Sequence, residues 1–380
     1  MNEEQQSTAT DQAQAVAVFI QQLYRGCPRV IVIPVILLMN VLVFLYLLFQ
    51  GAAISGGNLS VYIDYGANLG ALTKTGQWWR LFSAMFIHYG ILHLAFNMWV
   101  LWDAGRLTER LYGHFNFAWI YLFSGLFASL TSLYWNMDEV ASMGASGAVF
   151  GVFGALIGYL LREKRTMPGV LQKQLLRSAL IFTAVTLFLG FTIPAIDNAA
   201  HLGGLISGLI MGVLLAKPLT RRRPLVVPAV TAHAGSIALL VLAIILAPAA
   251  YYDYHAQKQA ENIIRGFIDE ERELVKEWKS VVDQLQSGES FSESIVMQQL
   301  AESSGRWAKL IDTAQAPGQI QPETTRRIAL LKEYAGYRAS NTHLLTQFLQ
   351  APDEAYLEQV KQNNDAIRQL LQQLNTSISE

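Results

Sequence analysis

Apolar runs long enough to cross a bilayer recur through the first two thirds of the chain and then stop. A helix rises about 1.5 Å per residue and the hydrocarbon core is about 30 Å thick, so a span takes about 20 mostly apolar residues. On that measure the pattern predicts seven spans, over 30–49, 92–111, 117–135, 146–161, 176–193, 199–215 and 225–251. Beyond residue 252 the pattern becomes amphipathic. Ile263, Phe267, Leu274 and Trp278 recur at helical spacing, and Ser287-Gly288, Ala316-Pro317-Gly318 and Ala351-Pro352 mark breaks. This tail predicts about four helices packed as a bundle or as paired hairpins, without the self-similarity of a tetratricopeptide array.

Composition agrees with that division. Of the 380 residues 52% are apolar and 15% charged, against roughly 25% charged in an ordinary soluble domain. Residues 1–252 carry 15 Lys/Arg and 10 Asp/Glu, whereas 253–380 carry 13 and 19. There is no overall basic field, which argues against nucleic acid as a partner. A single cysteine, Cys27, excludes an internal disulfide framework and any CxxC site. The polar, Gln-rich segment 1–28 lacks the pattern of a signal peptide, so the first span is expected to stay as an anchor. Arg25, Arg29, Arg106, Arg110, the cluster Arg162 to Arg177, and Lys217 with Arg221 to Arg223 all fall on one side of the predicted bilayer. The positive-inside rule makes that side cytoplasmic, with the N-terminus inside and the tail outside.

Spans two, four and six begin on the outer side, and near those beginnings lie His93 with Asn97, Ser146, and His201. Polar groups inside spans are costly and are functional candidates by default. Ser146, in Gly144-Ala145-Ser146-Gly147, opens a helix whose unpaired N–H groups suit an oxyanion. A serine hydroxyl needs a base to become a nucleophile, and His201 or His93 can serve. Glycine spacing favours His201. Gly147, Gly151, Gly154 and Gly158 share one helix face, as do Gly204, Gly208 and Gly212 below His201, and small residues at four-residue spacing let membrane helices approach closely. His93 and Asn97, one turn apart, are then left to donate hydrogen bonds to a developing oxyanion. Asp197 can orient His201 or cap its helix, and the cap is favoured. His88 reads as a structural hydrogen-bonding group at the membrane surface, and His114, His233, His255 and His343 have no catalytic company. GxSG alone, or GxxxG alone, is more often plain helix packing. There is neither an HExxH zinc motif nor an aspartate pair within two spans. No metal or other cofactor is therefore expected. A transporter with broken Gly-rich spans is the alternative from another class.

At these residues the sequence resembles the rhomboid family of intramembrane serine proteases, over roughly residues 29–217. Trp79-Arg80, the series His88, His93 and Asn97, Gly144 to Gly147, and His201 to Gly204 match the family's motifs in order and spacing. The resemblance implies Ser146 as nucleophile, His201 as base and later acid, and His93, Asn97 and the Ser146 backbone N–H as the oxyanion site. Gly105 to Glu109 looks like the family's GxxxE, implying that Glu109 ties a helix end to a loop. Phe150 stands where many relatives have a tyrosine stacked on the histidine, which keeps the aromatic face and loses a hydroxyl.

The chain is accordingly expected to be an all-α polytopic membrane protein. A polar cytoplasmic segment (1–28) precedes a six-helix rhomboid-like core (29–217), a basic loop with a seventh transmembrane helix (218–252), and an extracytoplasmic soluble helical domain (253–380). Trp79 is expected as an interfacial anchor and Arg80 as a head-group or backbone contact, with Gly144, Phe150, Gly204 and Gly208 supporting the site. The expected partners are transmembrane protein substrates and the lipid bilayer, with the tail serving substrate capture or dimerisation. A plasma membrane, of bacterial inner-membrane type, is the expected location. A catalytically silent rhomboid-like chaperone or adaptor is the second alternative.

Overall fold

A computed structural model describes residues 3–136, 138, 140–193, 196–219, 229–287 and 292–379. The chain forms two compact units, Met1–Ala250 and Tyr251–Glu380. The first contains α1 (Glu3–Gly26), α2 (Val32–Phe49), the short helices α3 (Leu59–Asp64), α4 (Gly70–Thr73) and α5 (Arg80–Ser83), and a 3-10 turn at Ala84–Phe86. It continues with α6 (Ile91–Tyr112), α7 (His114–Trp135), α8 (Ser146–Arg162), α9 (Gly169–Thr192), α10 (Asn198–Leu215) and α11 (Ala229–Ile245). Four of these, α2, α7, α9 and α10, are long and apolar enough to cross a membrane. The pair Arg80–Phe86 and Ile91–Tyr112, bent through 90°, makes a fifth candidate, and α8 and α11 are shorter apolar helices.

The centre of this unit is α8, buried on every side from Gly147 to Leu160. A helix apolar all round is stable only when surrounded, and α6, α7, α9 and α10 surround it. By contrast α9 buries only Ala179, Thr183 and Gly190. Neighbouring elements supply the hydrogen-bond partners that some helix ends lack. α2 has no side-chain cap of its own, and the Glu109 carboxylate of α6 accepts from the N–H groups of Ile31, Val32 and Ile33 at 2.7, 3.0 and 3.1 Å. His114 Nδ1 lies 2.6 Å from the same carboxylate. Glu109 therefore ties the end of α6 to the start of α2, and His114 gains a structural partner that its sequence context did not suggest. Between α8 and α10, the Tyr112 hydroxyl is shared between the carbonyls of Ala155 and Gly212 at 2.8 and 2.9 Å.

Several boundaries differ from the sequence expectation. Residues 3–26 form a helix, which buries Phe19 and Leu23, one turn apart, in the bundle core. α9 starts at Gly169 rather than 176, so Lys173 and Arg177 lie in its early turns and not in the connection. Lys, Arg, Gln and Leu are good helix formers, and the long cationic side chains extend toward water from within a helix. α11 ends at Ile245 rather than 251, because Pro248 has no N–H and disfavours helical backbone at Ala247. Residues 225–228 of that expected span, and Arg221 to Arg223, lie outside the described residues.

The second unit holds α12 (Tyr254–Gln286), α13 (Glu293–Thr313), α14 (Pro322–Gln350) and α15 (Glu354–Ser379). Asp253 caps α12 by accepting from the N–H groups of His255 and Ala256. The core gathers Phe267 and Leu274 of α12, Trp307 of α13, Tyr334 of α14 and Leu370 of α15. On its surface Arg306 reaches both Glu270 and Glu277 at 2.6 Å. These carboxylates raise the guanidinium pKa further.

Candidate active site

Ser146 is the first residue of α8, preceded by Gly144 in the left-handed region at φ +124°. That backbone conformation is open to glycine and strained for other residues. It turns the incoming chain so that the serine sits at a helix N-terminus, among N–H groups without intrahelical partners. His201 stands one turn into α10, whose start is capped by Asp197 accepting from Ala200 N–H at 3.0 Å. The acceptor use of Asp197 agrees with the capping role favoured above.

Glycines bring the two helices together. A Cβ on Gly204 would overlap the carbonyl oxygen of Gly147, and one on Gly208 would overlap that of Gly151. At such positions only hydrogen fits, and the two backbones pack directly against each other. At the head of this seam Ser146 Oγ and His201 Nε2 are 2.9 Å apart. The Phe150 ring, one turn into α8, stacks on the imidazole with centroids 4.3 Å apart and 16° between planes. His201 is 6% exposed, and no hydrogen-bond partner reaches its Nδ1 among the described residues. The arrangement is a serine–histidine pair without a third carboxylate. A hydroxyl in hydrogen-bond reach of a neutral imidazole can pass its proton as it attacks an electrophilic carbon.

His93 and Asn97 border the same place on α6. The imidazole of His93 packs against Gly144, where an added Cβ would lie 2.8 Å from Nε2. Asn97 Nδ2 donates to the His93 carbonyl at 2.9 Å, which fixes its amide one turn below that ring. His88 is fully buried within the protein, and its ring lies 5.1 Å from that of His93. Its Nε2 accepts from Ala145 N–H at 3.3 Å, and its Nδ1 faces the Phe86 carbonyl. Accepting at Nε2 leaves the proton on Nδ1. Arg80 is a backbone clamp and not a head-group contact: it is buried, and Nη1 donates to the carbonyls of Ile63 and Ala67. Trp79 is half exposed and lies under the Arg80 guanidinium at 4.8 Å.

Other contributors had no signature of their own. Asn68 and Ser142 form an isolated antiparallel bridge, with both N–H···O distances 2.9 Å. The Asn68 side chain donates to Ser129 O and accepts from Thr73 Oγ1. Asn198, beside the cap of α10, donates to Leu187 O of α9. Among the described residues no group of His, Cys, Asp and Glu side chains is arranged to hold a metal ion.

Comparison with known proteins places these features in context. Residues 75–218 match the family model described as the Rhomboid domain. The chain is 32% identical over 250 residues to the rhomboid protease GluP of Bacillus subtilis, covering 64% of this chain and 45% of that protein. It is 32% identical over 198 residues to the rhomboid protease AarA of Providencia stuartii, covering 47% and 70% respectively. Against RHOMBOID-like protein 2 of Arabidopsis thaliana it is 39% identical over 144 residues, covering 37% and 44%. The chain thus spans less than half the length of GluP.

Proposed function

Since this chain belongs to the rhomboid family and is a multi-pass membrane protein, we propose that it is an intramembrane serine endopeptidase. The observation that carries the reading is the 2.9 Å separation of Ser146 Oγ and His201 Nε2 at a helix N-terminus. Ser146 Oγ attacks the scissile carbonyl while His201 takes its proton, giving a tetrahedral oxyanion. His93, Asn97 and the Ser146 N–H stabilise that charge. His201 then returns the proton to the leaving amine, and the peptide remains as an ester on Ser146. Water, deprotonated by His201, attacks the ester and frees the serine. The phenyl face of Phe150 holds the imidazole in line throughout. Trp79, Arg80, His88, Glu109, Gly144, Gly204 and Gly208 support the geometry without touching the substrate.

The substrate is a transmembrane segment of another protein. Its helical hydrogen bonds must open locally before the carbonyl can be attacked, so helix-breaking or small residues near the cut favour cleavage. Seven spans, with α6 as the second and α11 as the seventh, put the N-terminus in the cytoplasm and the site toward the outer face of a bacterial inner membrane. The second unit is then extracytoplasmic and serves substrate capture or self-association.

Purified full-length protein, reconstituted in liposomes with a single-span substrate, provides the test. Cleavage by the wild type, abolished in both Ser146→Ala and His201→Ala, is the expected result. A folded wild-type protein that cleaves nothing and resists a serine-directed fluorophosphonate would instead favour the chaperone-like reading.

A further inference from the structure

Eight residues upstream of Ser146 lies a buried ion pair with no part in the chemistry above. Lys74 Nζ is 2.7 Å from Asp138 Oδ1, with side chains 3% and 1% exposed. Lys74 follows α4 in the outer loop, and Asp138 lies in the connection between α7 and α8. Asp138 has a positive φ of +73°, a conformation that carbon-bearing side chains adopt at a cost. Room for its carboxylate exists because residue 70 is glycine. A Cβ there would overlap Oδ1 and come within 2.9 Å of the Asp138 Cα.

The pair is the outermost of a series of anchors on one stretch of chain. Ser142 is bridged to Asn68 through both main-chain hydrogen bonds, and Gly144 N–H donates to Ala84 O at 2.9 Å. Ala145 N–H donates to His88. These polar anchors on the approach to Ser146 come from the segment 68–88. Those of Ser142, Gly144 and Ala145 are hydrogen bonds between neutral groups, and that of Asp138 is an ion pair. A buried ion pair is costly to break, because a charge that loses its partner loses compensation that solvent does not replace.

We infer that Lys74 and Asp138 are a positioning pair for the proposed reaction. They hold Asp138 against the loop that follows α4, and together with the anchors of Ser142, Gly144 and Ala145 they set where Ser146 meets His201 and the oxyanion donors. The inference rests on the protease reading. It adds that the register of the nucleophile is held by a salt bridge some distance from it in sequence.

The test uses the full chain in liposomes, comparing wild type, Lys74→Met, Asp138→Asn and the double variant Lys74→Met/Asp138→Asn, in which asparagine tolerates the positive φ. The double variant removes the pair without stranding a charge. Each is assayed for kcat and KM on a single-span substrate, for the rate of fluorophosphonate labelling at Ser146, and for thermal unfolding. Misplacement of reacting groups by about 1 Å costs about a hundredfold. The expected result is a fall in kcat and in labelling rate of about ten- to a hundredfold, with KM little changed, including in the double variant at a native melting temperature. Wild-type kcat and labelling in a folded double variant would overturn the inference, even if the single variants failed to fold. A wild type that neither cleaves nor labels would overturn the protease reading itself, which is a different outcome in the same experiment.

Discussion

The ring of Phe150 lies flat on the imidazole of His201, 4.3 Å away and within 16° of parallel. A phenyl face gives the histidine no hydrogen bond, so its contribution is lateral restraint. Because Nδ1 has no partner among the described residues, that restraint and the Ser146 contact are what orient the ring. Phe150→Ala is expected to lower kcat about ten- to a hundredfold, with Ser146 still present and the protein still folded. Phe150→Tyr, which keeps the face, is expected to stay close to wild type. Steady-state cleavage of a single-span substrate decides between restraint and mere filling of space.

The seam between α8 and α10 makes a prediction of opposite kind, about residues that do no chemistry. Gly204→Val and Gly208→Val would force carbon into the carbonyls of Gly147 and Gly151. Overpacking costs about 1–3 kcal/mol, and here the obstructing atoms are backbone and cannot rotate away. Both variants should melt earlier and lose fluorophosphonate labelling. Gly235→Ala in α11, where nothing lies within 4 Å of the added carbon, should change neither, and serves as the control.

Glu109 separates support from catalysis. Its carboxylate satisfies three N–H groups at the start of α2, and a buried donor left unsatisfied costs about 1–3 kcal/mol. Glu109→Ala is therefore expected to lower the melting temperature while leaving kcat intact at temperatures where the variant is folded. Thermal unfolding in detergent, run beside the cleavage assay, reads both quantities. A loss of kcat in a fully folded variant would contradict the structural role.

The second unit offers a pH signature. Burial pushes the Tyr334 phenol above its ordinary value of 10.0, while its hydroxyl donates to Glu271 at 2.6 Å. Above that ordinary value the unfolded chain releases this proton and the folded one holds it, so folding is disfavoured as pH rises. The stabilisation is full below pH 10.0 and is lost as pH climbs toward the raised folded value. Unfolding of the unit followed near pH 8 and near pH 11, in wild type and Tyr334→Phe, should show a smaller alkaline loss in the variant.

The parts of this arrangement written most plainly in the sequence are those with a period. Glycines at four-residue spacing announced the close approach of α8 and α10, and with it the meeting of Ser146 and His201. The aromatic at position 150 follows from the same helical turn. What stayed hidden depends on loops. Lys74 and Asp138 are ordinary loop charges until the fold buries them together. Asn68 pairs with Ser142 across 74 positions by backbone alone, which leaves no trace in side-chain type. Residues 1–28 read as a polar N-terminal segment, whereas 3–26 form a helix that docks through Phe19 and Leu23. His88 reads as a structural hydrogen-bonding residue, but that its partner is the Ala145 N–H beside Ser146 depends on the loop that brings them together.

At Gly147–Gly204 and Gly151–Gly208 no side chain stands between the two main chains. Ser146 and His201 therefore share one frame of reference, cut into the backbone of two helices. A shift of a helix that lies outside this seam leaves the distance from Ser146 to His201 where it was.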